Sequence, residues 1–303
     1  MKALFRLLAV ATLVVGQIAA GNAHPAAAAP GDVIAEITIP ESDGLLWLRG
    51  VAKAIGFDGH NLFYAEYAGQ VLHRIDVPPP GASFASGHID TPITGAPSGI
   101  MAISYDATRD AFWAVGGDGL SIYLLSKGGQ AALQYTIDPN SDRPGNCKTV
   151  MGCGSEAKIN YDGADDSIWY ANDTSARLYH YQSTPDALGT AQLVATTPYV
   201  DVDVPPNDMY LQCGYSQVSG FAVGGPNLYI TVAGCEYYFE YTKTGTKLGQ
   251  YPERPASSGD FECDNLSYSV SVIWARDGWS GHIRAYEQPR ANACIYGGGP
   301  RSP

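Results

Sequence analysis

Apolar and polar residues alternate with period two in short runs along most of the chain, each run bounded by Gly, Pro, Asn or Asp. That pattern predicts half-buried β-strands separated by tight turns. Five segments share one order: an apolar strand with an aromatic or apolar anchor, a turn, an aromatic strand, a second turn, a third strand. They are 54–76, 102–126, 158–182, 220–245 and 265–287. The second-strand aromatics Tyr64, Trp113, Trp169, Tyr229 and Trp274 follow one another at 49, 56, 60 and 45 residues. Asp58-Gly59 and Asp162-Gly163 are hairpin signals between alternating runs. Candidate fourth strands are 83–90, 132–138, 191–197 and 247–253.

Four strands per repeat, recurring around a ring, predict an all-β fold, a five-bladed β-propeller with four-stranded blades. After Glu287 little chain remains for a last outer strand, whereas VIAEITIP (33–40) alternates cleanly and has no local partner. The N-terminal segment is therefore expected to close the ring by entering the last blade. Six blades is the alternative, with a degenerate unit inside 128–157 or 183–217. The inserts 139–156 and 198–216 are expected as stapled loops on one face. Residues 30–303 form a single domain on this reading.

The chain opens with Lys2 and Arg6, an apolar run from Leu7 to Ile18, and then small residues. This is the layout of a secretory signal peptide within 1–29, cleaved after Ala23 or within 26–29; an N-terminal membrane anchor is the competing reading. No other stretch reaches the roughly 18 apolar residues of a membrane span. Export suits the six cysteines, for which 15 pairings exist. Sequential pairing is expected, as Cys147–Cys153, Cys213–Cys235 and Cys263–Cys294, because each then closes a loop beside one unit. A zinc site would want a C-x₂-C pair, and none is present.

An [FY]-D-[GA] turn recurs at 57–59, 105–107 and 161–163, each time followed by an aromatic strand. With the segment 265–287, this resembles the broad group of secreted propellers that includes NHL-repeat, YncE-like and SMP-30-like proteins. The resemblance covers most of 33–288 and implies the fold. SMP-30-like lactonases use Glu, Asn and Asp around their channel, which on this chain implies Glu156, Asn265 and Asp277. The E-G-P-x-W opening of those lactonases is absent here, and they have six blades.

Formal net charge is −12 over 303 residues, and −14 without the first 29. That balance argues against nucleic acid as a partner, because phosphate binding needs a basic patch. Residues preceding the inner strands face a propeller's channel mouth. Counting back from the strand anchors puts Lys53, Glu156, Asp264 and Asn265 there. Glu156, Asp264 and Asn265 are hard oxygen ligands that suit Ca²⁺; the competing reading is solvated loop acids, one of them neutralised by Lys53. Lys53 and Met101 stand where a glycosidase of this shape would carry acids. No G-x-S-x-G, H-E-x-x-H or P-loop occurs. The six histidines show no ligand spacing; His73 and His180 take corresponding third-strand positions, which points to structure. Asp201, Asp203 and Asp208 form an acidic insert, read as a polar loop or a rim calcium site. Asn172 and Asn265 head glycosylation sequons. Tyr67, Tyr215 and Trp279 fall in turns or loops, placed to stack on a sugar or an extended peptide. The expected function is a secreted, monomeric recognition module for an extracellular glycan or protein. A calcium-dependent lactonase or hydrolase at the channel mouth is the alternative.

Overall fold

The computed structural model describes residues 29–41, 54–137, 156–172, 176–205, 209–214, 217–232, 234–254, 258–278, 280–290 and 294. They form five four-stranded antiparallel sheets and one short helix, α1 (Met209–Cys213). Blade 1 is β2 (Ala54–Phe57), β3 (Asn61–Ala65), β4 (Val71–Asp76) and β5 (Ile89–Pro92). Blade 2 is β6 (Ile100–Asp106), β7 (Ala111–Gly116), β8 (Ser121–Ser126) and β9 (Ala131–Thr136). Blade 3 is β10 (Lys158–Asp162), β11 (Ser167–Ala171), β12 (Arg177–Gln182) and β13 (Tyr199–Asp201). Blade 4 is β14 (Gly220–Gly224), β15 (Asn227–Thr231), β16 (Tyr237–Thr242) and β17 (Lys247–Pro252). Blade 5 takes β18 (Ser258–Asp264), β19 (Val272–Asp277) and β20 (His282–Glu287), and its outer strand is β1 (Val33–Thr38).

The first strand of the chain therefore completes the last blade. Its register runs Ala35↔Ala285, Ile37↔Ile283 and Thr38↔His282, burying Ala35 and Ile37. The inner strands β2, β6, β10, β14 and β18 pack in turn around the axis. This is the five-bladed propeller expected from the repeats. Segments 128–157 and 183–217 contribute β9 and β13 to existing blades instead of a sixth.

Cohesion comes from side chains between blades. Trp113, Trp169 and Trp274 are almost fully buried, and such rings remove about 150–250 Å² each from water. At three seams the end of one outer strand also bridges the outer turn of the next blade: Thr38↔Phe84, Thr94↔Gln130 and Thr136↔Thr190. The seam made by β1 is thus tied like its neighbours.

Three strand expectations need correction. Blade 1's outer strand is 89–92, because 83–85 runs instead along Thr38. Blade 3's outer strand is 199–201; of the expected 191–197, residues 192–194 do lie along β12, through a bridge of Leu193 with Tyr181, while 190–191 are held by Thr136 of blade 2. The inner strand of blade 5 is 258–264, upstream of the expected start at 265. Both described disulfides match expectation, Cys213–Cys235 and Cys263–Cys294. Cys147 and Cys153 lie outside the described residues.

Candidate functional site

Each inner strand begins at one mouth of the ring, called here the leading mouth, and ends at the opposite, trailing mouth. Aspartates mark the trailing end in four blades: Asp58, Asp106, Asp162 and Asp264. The Oδ1 of each accepts N–H groups of the turn that follows, from His60 and Asn61, Thr108 and Arg109, Ala164, and Leu266 and Ser267 respectively. In three blades Oδ2 accepts the indole N–H of the next strand, from Trp113 at 3.2 Å, Trp169 at 3.3 Å and Trp274 at 2.8 Å. Cations from the following blade reach two of them, Lys127 on Asp58 and Lys243 on Asp162. The Asp turn is thus a repeated device that caps the hairpin and satisfies a buried tryptophan.

This device decides where the expected calcium ligands fall. Asp264 is one of the four caps, buried at the trailing mouth, and Asn265 follows it in the turn. Glu156 precedes β10 at the leading mouth, with φ of 59°. The structure does not bring Glu156 together with Asp264 and Asn265. The register slipped because the turn of blade 5 is longer. The aromatic lies seven residues after the aspartate in blades 2 and 3, and ten after it in blade 5. Asp277 pairs with Arg284 at 2.9 Å. Asp201 pairs with Arg177 at 2.8 Å and accepts the N–H of Asp203; Asp208 lies outside the described residues. Lys53, Tyr215 and Trp279 also lie outside them. Tyr67 joins β3 to β4 at the leading mouth, half-buried against the core between blades 2 and 3. Asn172 of the first sequon is buried.

Sequence reasoning missed the polar wall of the inner strands. Ser104, Lys158, Asn160, Asp260 and Glu262 are all buried there. An inner strand has one edge with no ladder partner, so its N–H groups must find acceptors elsewhere. Ser104 Oγ accepts from Tyr161 N at 3.0 Å, Asn160 Oδ1 from Val223 N at 2.9 Å, and Asp260 Oδ2 from Ile55 N at 3.3 Å. Each bond joins one blade to the next. The amide of Asn160 also donates to Phe221 O and Phe261 O, so one side chain links blades 3, 4 and 5. Burial pushes the Asp260 carboxyl up to about 8, against the pull of the Lys158 ammonium. Burial likewise raises Glu253 to about 7, although Thr231 and Ser258 hydrogen-bond to it. Ser104, Asn160, Asp260 and Glu253 thus tie neighbouring blades together, and both of these carboxylates are buried.

The two mouths differ in what surrounds them. On the trailing side the inner hairpin turns are short, spanning 58–60, 107–110, 163–166, 225–226 and 265–271, and farther from the axis lie the outer turns 77–88, 127–130, 183–198 and 243–246. At the leading mouth lie the described ends of the blade-to-blade connections, 39–41, 93–99, 137, 156–157, 202–205, 209–214, 217–219 and 253–254. The connection 202–219 carries α1, is tied by Cys213–Cys235, and exposes Val204 and, at 80%, Leu211. Among the described residues, no helix is long and apolar enough to cross a membrane.

No known family and no curated protein matches this chain in sequence. Solved structures do. Glutaminyl cyclase of Myxococcus xanthus superposes with a TM-score of 0.50 at 10% identity, over 84% of this chain and 94% of that one. The β-propeller domain of Cps50 (Swd1) from Myceliophteria thermophila gives 0.39 at 11% identity, over 75% of this chain and 66% of that one. Virginiamycin B lyase of Staphylococcus aureus gives 0.41 at 14% identity, over 77% and 65% respectively. The chain thus spans just under two thirds of the last two. At these identities the likeness is one of fold.

Proposed function

We propose that this protein is a secreted recognition module that binds an extracellular glycan or a protein partner at the leading mouth of its propeller. The observation that carries this reading is the asymmetry of the ring. The connections that pass from blade to blade meet at the leading mouth, and one of them is stapled by Cys213–Cys235 and presents Leu211 to solvent. Binding sites gather on connections held by a rigid scaffold, and the inter-blade bonds of Ser104, Asn160 and Asp260 supply that rigidity. The signal-peptide pattern of residues 1–29 and the two disulfides support an extracellular setting. Recognition is preferred over a calcium-dependent hydrolase because the carboxylates proposed for that chemistry stand at opposite mouths.

Glycan arrays and extracellular-protein panels, probed with the wild type, Leu211→Asp and Leu266→Asp, test the reading. Both leucines are exposed, the first on the leading side and the second in a trailing turn. Binding weakened by Leu211→Asp and kept by Leu266→Asp supports the leading mouth. The reverse pattern, or no ligand in either panel, overturns it.

A further inference from the structure

At the seam between blades 5 and 1, four side chains from distant parts of the chain converge. Glu41 follows the closing strand β1, His73 lies in β4, His88 precedes β5, and Asp90 lies in β5. One ligand atom from each lies within 4.8 Å of the others. His73 Nδ1 is 2.7 Å from Asp90 Oδ1 and 3.3 Å from Glu41 Oε1. His88 Nε2 is 3.0 Å from Glu41 Oε1 and 3.2 Å from Asp90 Oδ1. We propose that Glu41, His73, His88 and Asp90 bind one divalent transition-metal ion of the zinc class, clasping the N-terminal segment to blade 1.

Three features of the cluster carry the assignment. First, the cluster is only half satisfied as a hydrogen-bond network: His73 Nδ1 is hydrogen-bonded to Asp90 Oδ1, and His88 is left over. The Nε2 of His88 is shielded from solvent and makes no hydrogen bond, although two carboxylate oxygens stand within 3.2 Å. A buried imidazole nitrogen close to two carboxylates and without a hydrogen bond is a donor left for a metal ion. Second, the spacing fits. Zinc bonds to nitrogen and oxygen of about 2.0–2.2 Å place tetrahedral donors about 3.3 Å apart; the four imidazole–carboxylate separations run from 2.7 to 3.3 Å, and all six pairs lie within 4.8 Å. Two carboxylates with two neutral imidazoles carry a charge that one divalent ion cancels. Imidazole donors favour zinc-class ions over Ca²⁺, which takes oxygen.

Third, the surroundings orient the ligands, as metal sites require. Tyr64, His73 and Asp90 stand in one cross-strand row, Tyr64↔His73↔Asp90. The Tyr64 ring stacks on His73 at 4.7 Å, and its hydroxyl donates to the other oxygen of Glu41 at 2.7 Å. The nearby cation, Arg276 against the Tyr64 ring, hydrogen-bonds to Glu66. Asp90 is 58% exposed, giving an ion a path from solvent. A second cluster, Asp162, Asp165 and His180, lacks this character. Its His180 already contacts Ser167 Oγ and Thr197 O, and Asp162 is held by Lys243 and Trp169.

The test uses the full mature chain, stripped with a chelator and titrated with Zn²⁺, with Co²⁺ as a spectroscopic probe. Expected are one zinc per chain by elemental analysis, a higher melting temperature with zinc, and a visible cobalt spectrum of tetrahedral intensity. His88→Gln with Asp90→Asn should lose all three while keeping a metal-free melting temperature near that of the wild type. His180→Gln, at the second cluster, should retain them. The proposal is overturned if the wild type takes up no stoichiometric zinc, if zinc leaves its melting unchanged, or if the His88/Asp90 double variant binds zinc like the wild type. It is equally overturned if His180→Gln, and not the double variant, abolishes uptake.

Discussion

Replacing Asp264 separates a structural carboxylate from a ligand carboxylate. In the native turn it accepts Leu266 N at 2.7 Å, Ser267 N at 3.1 Å and Trp274 Nε1 at 2.8 Å. Asp264→Ala removes all three acceptors and leaves the indole N–H buried, since Trp274 is fully enclosed. An orphaned buried donor costs about 1–3 kcal/mol and an ordinary lost bond about 0.5–1.5, so a total loss of roughly 2–4 kcal/mol is expected. For a domain of this size that corresponds to a fall in Tm of about 5–15 °C. Asp264→Asn keeps Oδ1 for the turn but can set an amide N–H₂ against the indole, so about half the loss is expected. Urea denaturation followed by tryptophan fluorescence reads both variants, with and without Ca²⁺. A cap loses its stability equally in both solutions; a calcium ligand loses it only where Ca²⁺ is present. A loss under about 1 kcal/mol in Asp264→Ala, or a loss confined to the calcium sample, refutes the structural role.

Deleting residues 30–41 should abolish cooperative unfolding or promote aggregation, because it strips β1 from β20 and opens an edge; an unchanged melting curve by calorimetry would show that the ring closes otherwise. Gly220→Ala should destabilise by about 1–3 kcal/mol, because a Cβ there would stand 2.8 Å from Asp260 Cα in the next blade; denaturant titration checks it. Asp260 and Glu253 have carboxyls raised by the fold, to about 8 and about 7, above unfolded values near 3.9 and 4.3. Their contribution is fully present below about pH 4 and lost as pH rises through 7 to 8. Stability should therefore fall from pH 5 to pH 9, with a shallower slope in Asp260→Asn; an equal slope counts against it. Cys263→Ser with Cys294→Ser should cost about 2–4 kcal/mol, measured against the wild type under non-reducing denaturation.

The ring was legible because its determinants are local. Strand alternation and the second-strand aromatics fix β2 to β4 and β10 to β12 at the residues expected, and the solitary alternating run at 33–40 fixes the closing strand. Strands with little alternation were misplaced. IDTP (89–92) and YVD (199–201) are defined by pairing with β4 and β12, which is a tertiary fact. The candidate site suffered from one turn. Seven residues, 265–271, link β18 to β19, and their Tyr268 imitates a strand anchor while its hydroxyl actually reaches Pro78 O. The seam cluster had no sequence signal beyond the histidines themselves. Glu41 arrives from the other side of the closure, and only the register of β4 with β5 sets His73 beside Asp90.

A ring sealed by its own first strand has a temporal consequence. β1 is made before any blade, yet its partner β20 is the last blade strand made. The circle cannot be completed from one end alone, and the contact that seals it joins the first described strand to the last. Such long-range pairing is slow to form. Until β20 exists, β1 is a waiting edge, and until β1 docks, so is β20. Two chains whose rings are still open, held close together, can each dock its β1 on the other's β20, giving an exchanged dimer with native pairing in both rings. The same bond that makes the ring seamless makes crowding during synthesis the hazard most specific to this architecture.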